Sequence, residues 1–166
     1  SGLHDPDHYT TAWDIYLITR ALLPYDKFME ICNSKSAEIP ATEHNEKHVL
    51  HSTNRLISNW RELGYLYRDA QGIKTGSTEE AGHCLVSSAV RGGRRLVSVV
   101  LGAEKVTLAD GKSTLTKSFS ETSRLFDYGF DSFSSREIIS VDEPVREVPV
   151  ALSSEANYVV VHPTES

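Results

Sequence analysis

Apolar residues recur at helical spacing from Ala12 through Ile15, Tyr16, Ile18, Leu22 and Leu23, a pattern that predicts an amphipathic helix. Thr10 or Thr11 serves as its N-cap, Asp14 completes a capping box with Thr11, and Pro24 ends it. A shorter helix is predicted over 25–32, with Phe28, Met29 and Ile31 as its apolar contacts. From Asn33 to Thr53 the chain is polar, contains Pro40 and has no clear period, so a loop with room for a short hairpin is expected. Leu56, Ile57 and Trp60 give a brief apolar segment ahead of Gly64.

The clearest pattern lies further on. Two strand-like runs, His83 to Val90 and Arg95 to Leu101, are joined by Arg91-Gly92-Gly93-Arg94, which predicts an antiparallel hairpin with a two-residue primed turn. Leu85, Val97 and Val99 belong to strand-favouring surroundings. A short strand over Gly72 to Thr78 is expected to pair beside this hairpin, with Lys74 and Gly76 on one face and Thr75 on the other. Asp110-Gly111 marks a turn. Leu115, Phe119, Thr122, Leu125 and Phe126 then predict a helix from Ser113 to Tyr128, stopped by Gly129 and packed on the sheet. Beyond Ser134 the texture changes to short strand-like runs over Glu137 to Val141, Glu147 to Leu152 and Tyr158 to His162, punctuated by prolines. The expected class is α+β, with residues 1–133 as one body and 134–166 as a β-rich tail.

Composition narrows the function classes. A hydrophobic fraction of 39 % and a charged fraction of 24 % are those of a globular domain, and no apolar run approaches the length of a membrane-crossing helix. The net charge of −6, with dispersed Lys and Arg, argues against nucleic acid as a partner. Cys32 and Cys84 lie far apart, so neither a metal motif nor a disulfide framework is indicated. The abrupt start at Ser1-Gly2-Leu3-His4-Asp5, without an initiator Met, suggests an excised fragment.

Three patterns could carry chemistry. Gly72-Ile73-Lys74-Thr75-Gly76-Ser77-Thr78 places a cation, a hydroxyl and a bare backbone in succession, which suits an extended peptide with an anionic end. His44, His48 and His51, and separately His4 and His8, have spacings that a metal could use. Asn45 nevertheless stands where a zinc protease helix needs Glu, Pro40 lies just upstream, and Pro6 interrupts the other pair, so no metal and no cofactor are expected. For serine chemistry there is no G-x-S-x-G elbow, and no lysine has a serine three residues before it. Thr114-Leu115-Thr116-Lys117 is the nearest look-alike and reads as the opening turn of the last helix.

Gly2-Leu3-His4-Asp5, Tyr9-Thr10-Thr11-Ala12-Trp13-Asp14, Asn54-Arg55-Leu56, Gly72-Ile73-Lys74-Thr75-Gly76, Ala81-Gly82 and Phe126-Asp127-Tyr128-Gly129-Phe130 follow one another in order. Together they resemble the low-molecular-mass penicillin-binding proteins that act as serine D-Ala-D-Ala carboxypeptidases. The resemblance covers residues 2 to about 133, and the tail is similar to the start of that family's C-terminal β-rich domain. It implies a partial β-lactamase/transpeptidase-like fold, an antiparallel sheet packed by helices. In that family Ser-x-x-Lys, Ser-x-Asn and Lys-Thr-Gly meet in one cleft, and here only the third is present. Ser52-Thr53-Asn54 spells Ser-x-Asn but falls at the family's Asn-Arg-Leu segment, so it is read as a decoy.

By the resemblance, Lys74 supplies positive charge to nucleophile and substrate, and Thr75 hydrogen-bonds the terminal carboxylate beside Gly76. The backbone N–H of Ser77 is one oxyanion-hole donor, and Arg55 lies near the carboxylate end of the cleft. Ser118 stands where the family commonly has a second carboxylate-binding arginine, a departure from its pattern; Lys117 lies beside it as a weaker candidate, since a lysine is not a bidentate equivalent of arginine. The implied reaction removes the terminal D-Ala of peptidoglycan stem peptides through an acyl-enzyme that β-lactams trap, outside the cytoplasm in a bacterial envelope. Without nucleophile and base, this chain alone is expected to be inactive, and to self-associate or pair with the missing amino-terminal half. Two other readings are a non-catalytic module that binds a peptide carboxylate through Lys74, Thr75 and Arg55, and a metal hydrolase built on His44, His48 and His51.

Overall fold

The computed structural model describes residues 2–60, 64–136, 138, 140–152 and 154–164. The chain divides into two compact units, Ser1–Phe133 and Ser134–Ser166. The first is α+β. Helix α1 (Ala12–Leu22) opens with the reciprocal box that its sequence predicts: the Asp14 N–H donates to Thr11 Oγ1 at 3.1 Å and the Thr11 N–H donates to Asp14 Oδ2 at 3.1 Å. Helix α2 (Asp26–Asn33) follows after Pro24, and the polar stretch beyond it holds a hairpin of β1 (Ser36–Ile39) and β2 (His48–His51).

A three-stranded antiparallel sheet in the order β3-β4-β5 forms the centre, from β3 (Ala70–Thr78), β4 (Gly82–Arg91) and β5 (Arg94–Ala103). Arg91 pairs with Arg94 across Gly92 and Gly93, whose φ angles of 58° and 77° are those of the primed turn. The strand carrying Lys74 is longer than expected, nine residues, because a bulge between Gln71 and Lys74 lets pairing continue back to Ala70.

The last helix is displaced from its predicted place. Residues Thr114–Thr116 form strand β7, paired with β6 (Lys105–Thr107), and helix α3 runs from Lys117 to Ser132. The Asp110-Gly111 turn closes the β6–β7 ladder: the Asp110 carboxylate accepts from the N–H groups of Lys112 and Ser113, at 2.9 and 2.8 Å. Thr114 to Thr116 therefore extend a hairpin rather than open a helix. Gly129 lies inside α3 and does not stop it. A Cβ there would sit 2.6 Å from Leu96 Cδ1, so any side chain would have to displace the Leu96 methyl that packs against the helix.

Ser118, Phe119, Thr122, Phe126 and Phe130 recur every three to four residues and form the buried stripe of α3. Phe119, Phe126 and Phe130 meet Leu85 and Ala89 of β4, together with Leu56, in the core. Leu56 and Ile57 are buried residues of the short apolar segment that precedes Gly64. Around this core, Tyr67 Oη donates to Asp127 at 2.7 Å and accepts from Arg91 Nη2 at 2.7 Å, while Arg91 Nε donates to Asp69 at 2.7 Å. Burial, and then the Asp127 carboxylate, push the Tyr67 phenol up to about 12. The hydrogen bond from Arg91 holds the Asp69 carboxyl below its usual range.

In the second unit, β8 (Arg146–Pro149) pairs antiparallel with β9 (Tyr158–Val161). These match the predicted runs over 147–152 and 158–162, each in shortened form. The run predicted over 137–141 includes Glu137 and Ile139, which lie outside the described residues; Ser140 and Glu143 close a turn through the Glu143 N–H at 3.0 Å. Among the described residues no helix is long and apolar enough to cross a membrane.

Candidate functional site

The Lys-Thr-Gly stretch occupies the C-terminal half of β3, at one edge of the three-stranded sheet. Alternation along the strand leaves Lys74 and Gly76 exposed and Thr75 half-buried, as period two requires. Lys74 pairs with Val86, Thr75 with Leu85, Gly76 with Cys84 and Ser77 with His83. The Lys74 ammonium lies against the Thr75 carbonyl.

The two glycines of this stretch have different reasons. At Gly72 φ is +59°, and a Cβ would come within 2.8 Å of Cys32 Cβ on α2, so helix packing excludes any side chain there. At Gly76 a Cβ would meet nothing within 4 Å. Among the described residues no contact requires that glycine, and its bare backbone faces open space next to Lys74 on the strand.

Three consecutive residues of the preceding loop hold this strand and connect it to α3. Thr53 Oγ1 and Thr75 Oγ1 are 2.6 Å apart. Asn54 is buried; its Nδ2 donates to the Gly72 carbonyl at 2.6 Å and its Oδ1 accepts from the Leu56 N–H at 3.0 Å. Ser87 Oγ donates to the same carbonyl at 2.7 Å, so the bulge leaves this buried acceptor satisfied twice. Asn54 thus spends its amide on the backbone. Arg55 Nη1 donates to Thr116 Oγ1 at 3.3 Å, with its guanidinium 5.7 Å from the Tyr65 ring centre and 5.4 Å from that of Phe119. Tyr65 Oη in turn accepts from the Thr116 N–H at 2.9 Å.

Lys117 stands apart from this arrangement. Its ammonium pairs with Glu104 at 2.8 Å, and the bond raises the lysine and lowers the carboxyl from their ordinary values. Ser118 is buried in the first turn of α3. At the junction of β7 and α3 the Arg55 guanidinium is bonded to Thr116, and Lys117 is engaged with Glu104.

Beyond the motif, Thr78 Oγ1 accepts from the Ala81 N–H at 3.0 Å, and Gly82 turns with φ +64°, where a Cβ would lie 3.1 Å from the Ala103 carbonyl oxygen. Ala81-Gly82 thus closes the β3–β4 turn against the end of β5. Two histidines of the metal reading lie elsewhere: His48 and His51 face Ile39 and Ser36 across the β1–β2 pair, and His51 stacks on Trp60 at 4.1 Å. Among the described residues no three His, Cys, Asp or Glu side chains are grouped to hold a metal. Cys32 and Cys84 are free thiols, and burial pushes Cys32 up.

Thr53 is the site residue that sequence reasoning missed, since it lies 22 positions from its partner and in no periodic pattern. The groups gathered on and behind β3 are suited to recognition: the Lys74 ammonium, the Thr75 hydroxyl bonded to that of Thr53, and the bare backbone of Gly76 on the strand.

Comparison with known proteins shows the family. The family model described as D-alanyl-D-alanine carboxypeptidase matches residues 1–105. The chain is 35 % identical over 133 residues to D-alanyl-D-alanine carboxypeptidase DacB2 of Mycobacterium tuberculosis, covering 78 % of this chain and 40 % of that protein. To DacF of Bacillus subtilis it is 27 % identical over 150 residues, covering 90 % and 34 %. Among solved structures, a D-alanyl-D-alanine carboxypeptidase from M. tuberculosis superposes with a TM-score of 0.61 at 30 % identity, over 82 % of this chain and 46 % of that one. Penicillin-binding protein D2 of Listeria monocytogenes, in its cefotaxime-bound form, gives 0.54 at 29 %, over 78 % and 45 %. The chain spans less than half the length of each of these proteins, and the fold they share is that of the peptidases and transpeptidases acting on D-Ala-D-Ala. With its motifs in order, its sheet and helices in that fold and its family model matched over most of its length, this chain belongs to the D-alanyl-D-alanine carboxypeptidase family.

Proposed function

We propose that this chain carries the substrate-binding wall of a serine-type D-Ala-D-Ala carboxypeptidase that trims terminal D-Ala from peptidoglycan stem peptides. The observation that carries the reading is the open face of β3, where Lys74 and Gly76 are exposed and Gly76 has no internal reason to lack a side chain. In this reading Lys74 gives electrostatic support, Thr75 and Arg55 receive the substrate carboxylate, and Ser77 offers its backbone N–H to the oxyanion. Lys117 contributes at most through its field, since Glu104 already pairs with it. Residues 1–133 form the carboxy-terminal part of the catalytic domain and residues 134–166 begin a β-rich second domain, a division supported by the two compact units.

The nucleophile and its base are supplied by polypeptide outside this sequence, which contains no Ser-x-x-Lys. Exposed apolar side chains on α1, Trp13, Leu17 and Ile18, and the edge position of β3 support pairing with that polypeptide or with another copy. The complete enzyme would act outside the cytoplasm, at the cell envelope, and bind β-lactams. This chain by itself should turn over no peptide and form no acyl-enzyme. Intact-mass measurement after incubation with a penicillin tests the point: the expected mass is unchanged, and an adduct of one drug mass would overturn the placement of the nucleophile.

A further inference from the structure

We infer that Thr53 is a positioning residue for the carboxylate of the ligand, setting the direction of the Thr75 hydroxyl proton through the bond between their two oxygens. The inference rests on the reading of Thr75 as a carboxylate-binding group. Each threonine hydroxyl has one proton to give and lone pairs to accept, and at 2.6 Å either one can be the donor. A carboxylate can only accept. When it docks, the Thr75 proton turns to the anion, and the bond to Thr53 persists only if Thr53 donates into Thr75 Oγ1. The resulting chain, Thr53 to Thr75 to carboxylate, polarises in one direction and strengthens the terminal bond.

Thr53 is well held for this task. The Ser52 N–H donates to the Lys35 carbonyl at 2.8 Å, and Asn54 is anchored on the Gly72 carbonyl, so the backbone is fixed on both sides of Thr53. Its branched Cβ restricts χ1, which keeps the hydroxyl on Thr75. Because Asn54 already ties the loop to β3, the Thr53 hydroxyl is not needed to hold the two together. A ligand ending in a carboxamide makes a different demand: its NH2 donates to Thr75 Oγ1 and imposes no order on the pair. Thr53 therefore favours an acid over an amide terminus.

The test uses the 166-residue chain, titrated with N-acetyl-D-Ala-D-Ala and with its C-terminal carboxamide, following the backbone amide signals of Lys74 to Ser77. Wild type should bind the acid more tightly. Thr53→Val should weaken acid binding about three- to tenfold, the worth of one hydrogen bond, leave amide binding unchanged and retain the β3 amide pattern, and Thr53→Ser should restore the preference. If Thr53→Val responds at Lys74 to Ser77 with the wild-type ratio of acid to amide, the role of Thr53 is overturned and the site stands. If β3 unfolds in Thr53→Val while Thr53→Ser, folded, shows no preference, the role is overturned too. A wild type in which neither ligand moves these signals overturns the site as well as the inference.

Discussion

Gly129 and Gly76 both sit in motifs of the family, one on the seam between α3 and the sheet, the other on the outer face of β3. At Gly129 the reason is visible inside the molecule, since Leu96 occupies the space a side chain would need. Along the same seam, Phe126 and Phe130 fill the core and Asp127 accepts the Tyr67 hydroxyl. At Gly76 nothing among the described residues lies within reach of a Cβ. A motif residue without an internal partner points outward, to a ligand, whereas one with such a partner is explained by packing. The contrast separates the two kinds of signature that the family carries in a single chain.

The largest expected effect is on the packed side. Phe126→Ala removes a ring that is 1 % exposed and should cost about 3–5 kcal/mol of stability, measured by urea unfolding. Val at Gly129 should cost about 1–3 kcal/mol through overpacking against Leu96. Gly76→Ala should change stability by less than about 0.5 kcal/mol, yet weaken binding of a D-Ala-D-Ala peptide, because the methyl enters the space left to the ligand. Equal stability losses at Gly76 and Gly129 would erase the distinction.

The seam also predicts a pH dependence. Tyr67 has its folded pKa raised from 10 to about 12, so the protonated phenol is favoured by folding. Its contribution is complete below pH 10 and is lost as pH rises through about 12. Asp69 is shifted the other way: its contribution is present above 3.8 and is lost as pH falls through the lower folded value. Phenolate absorbance should include a late step from Tyr67, and Tyr67→Phe should remove that step. A late step that survives the substitution would contradict the network.

Much of the fold was legible because its signals are local. The Thr11–Asp14 box, the Gly92-Gly93 turn and the Asp110-Gly111 turn each lie within four residues, and all three stand where the sequence puts them. The misplaced start of α3 has a tertiary cause. Thr114 and Thr116 resemble caps, but Leu115 pairs with Val106, and strands of three residues are too short to show a period. Gly129 was expected to end the helix because glycine is a poor helix former, and packing against Leu96 outweighs that preference. At the site, Lys74, Thr75 and Gly76 were readable as a strand alternation. The bonds from Thr53 and Asn54 were not, since the residues they join are 22 and 18 positions apart.

The outer face of β3 as a binding wall can be tested most directly by titrating the chain with a blocked D-Ala-D-Ala peptide at millimolar concentration and mapping the backbone amides that respond. Lys74 to Ser77 and Arg55 should shift together, and Lys74→Met should abolish the response without loss of fold. Shifts confined to other surfaces, or a response that Lys74→Met leaves intact, would contradict the account.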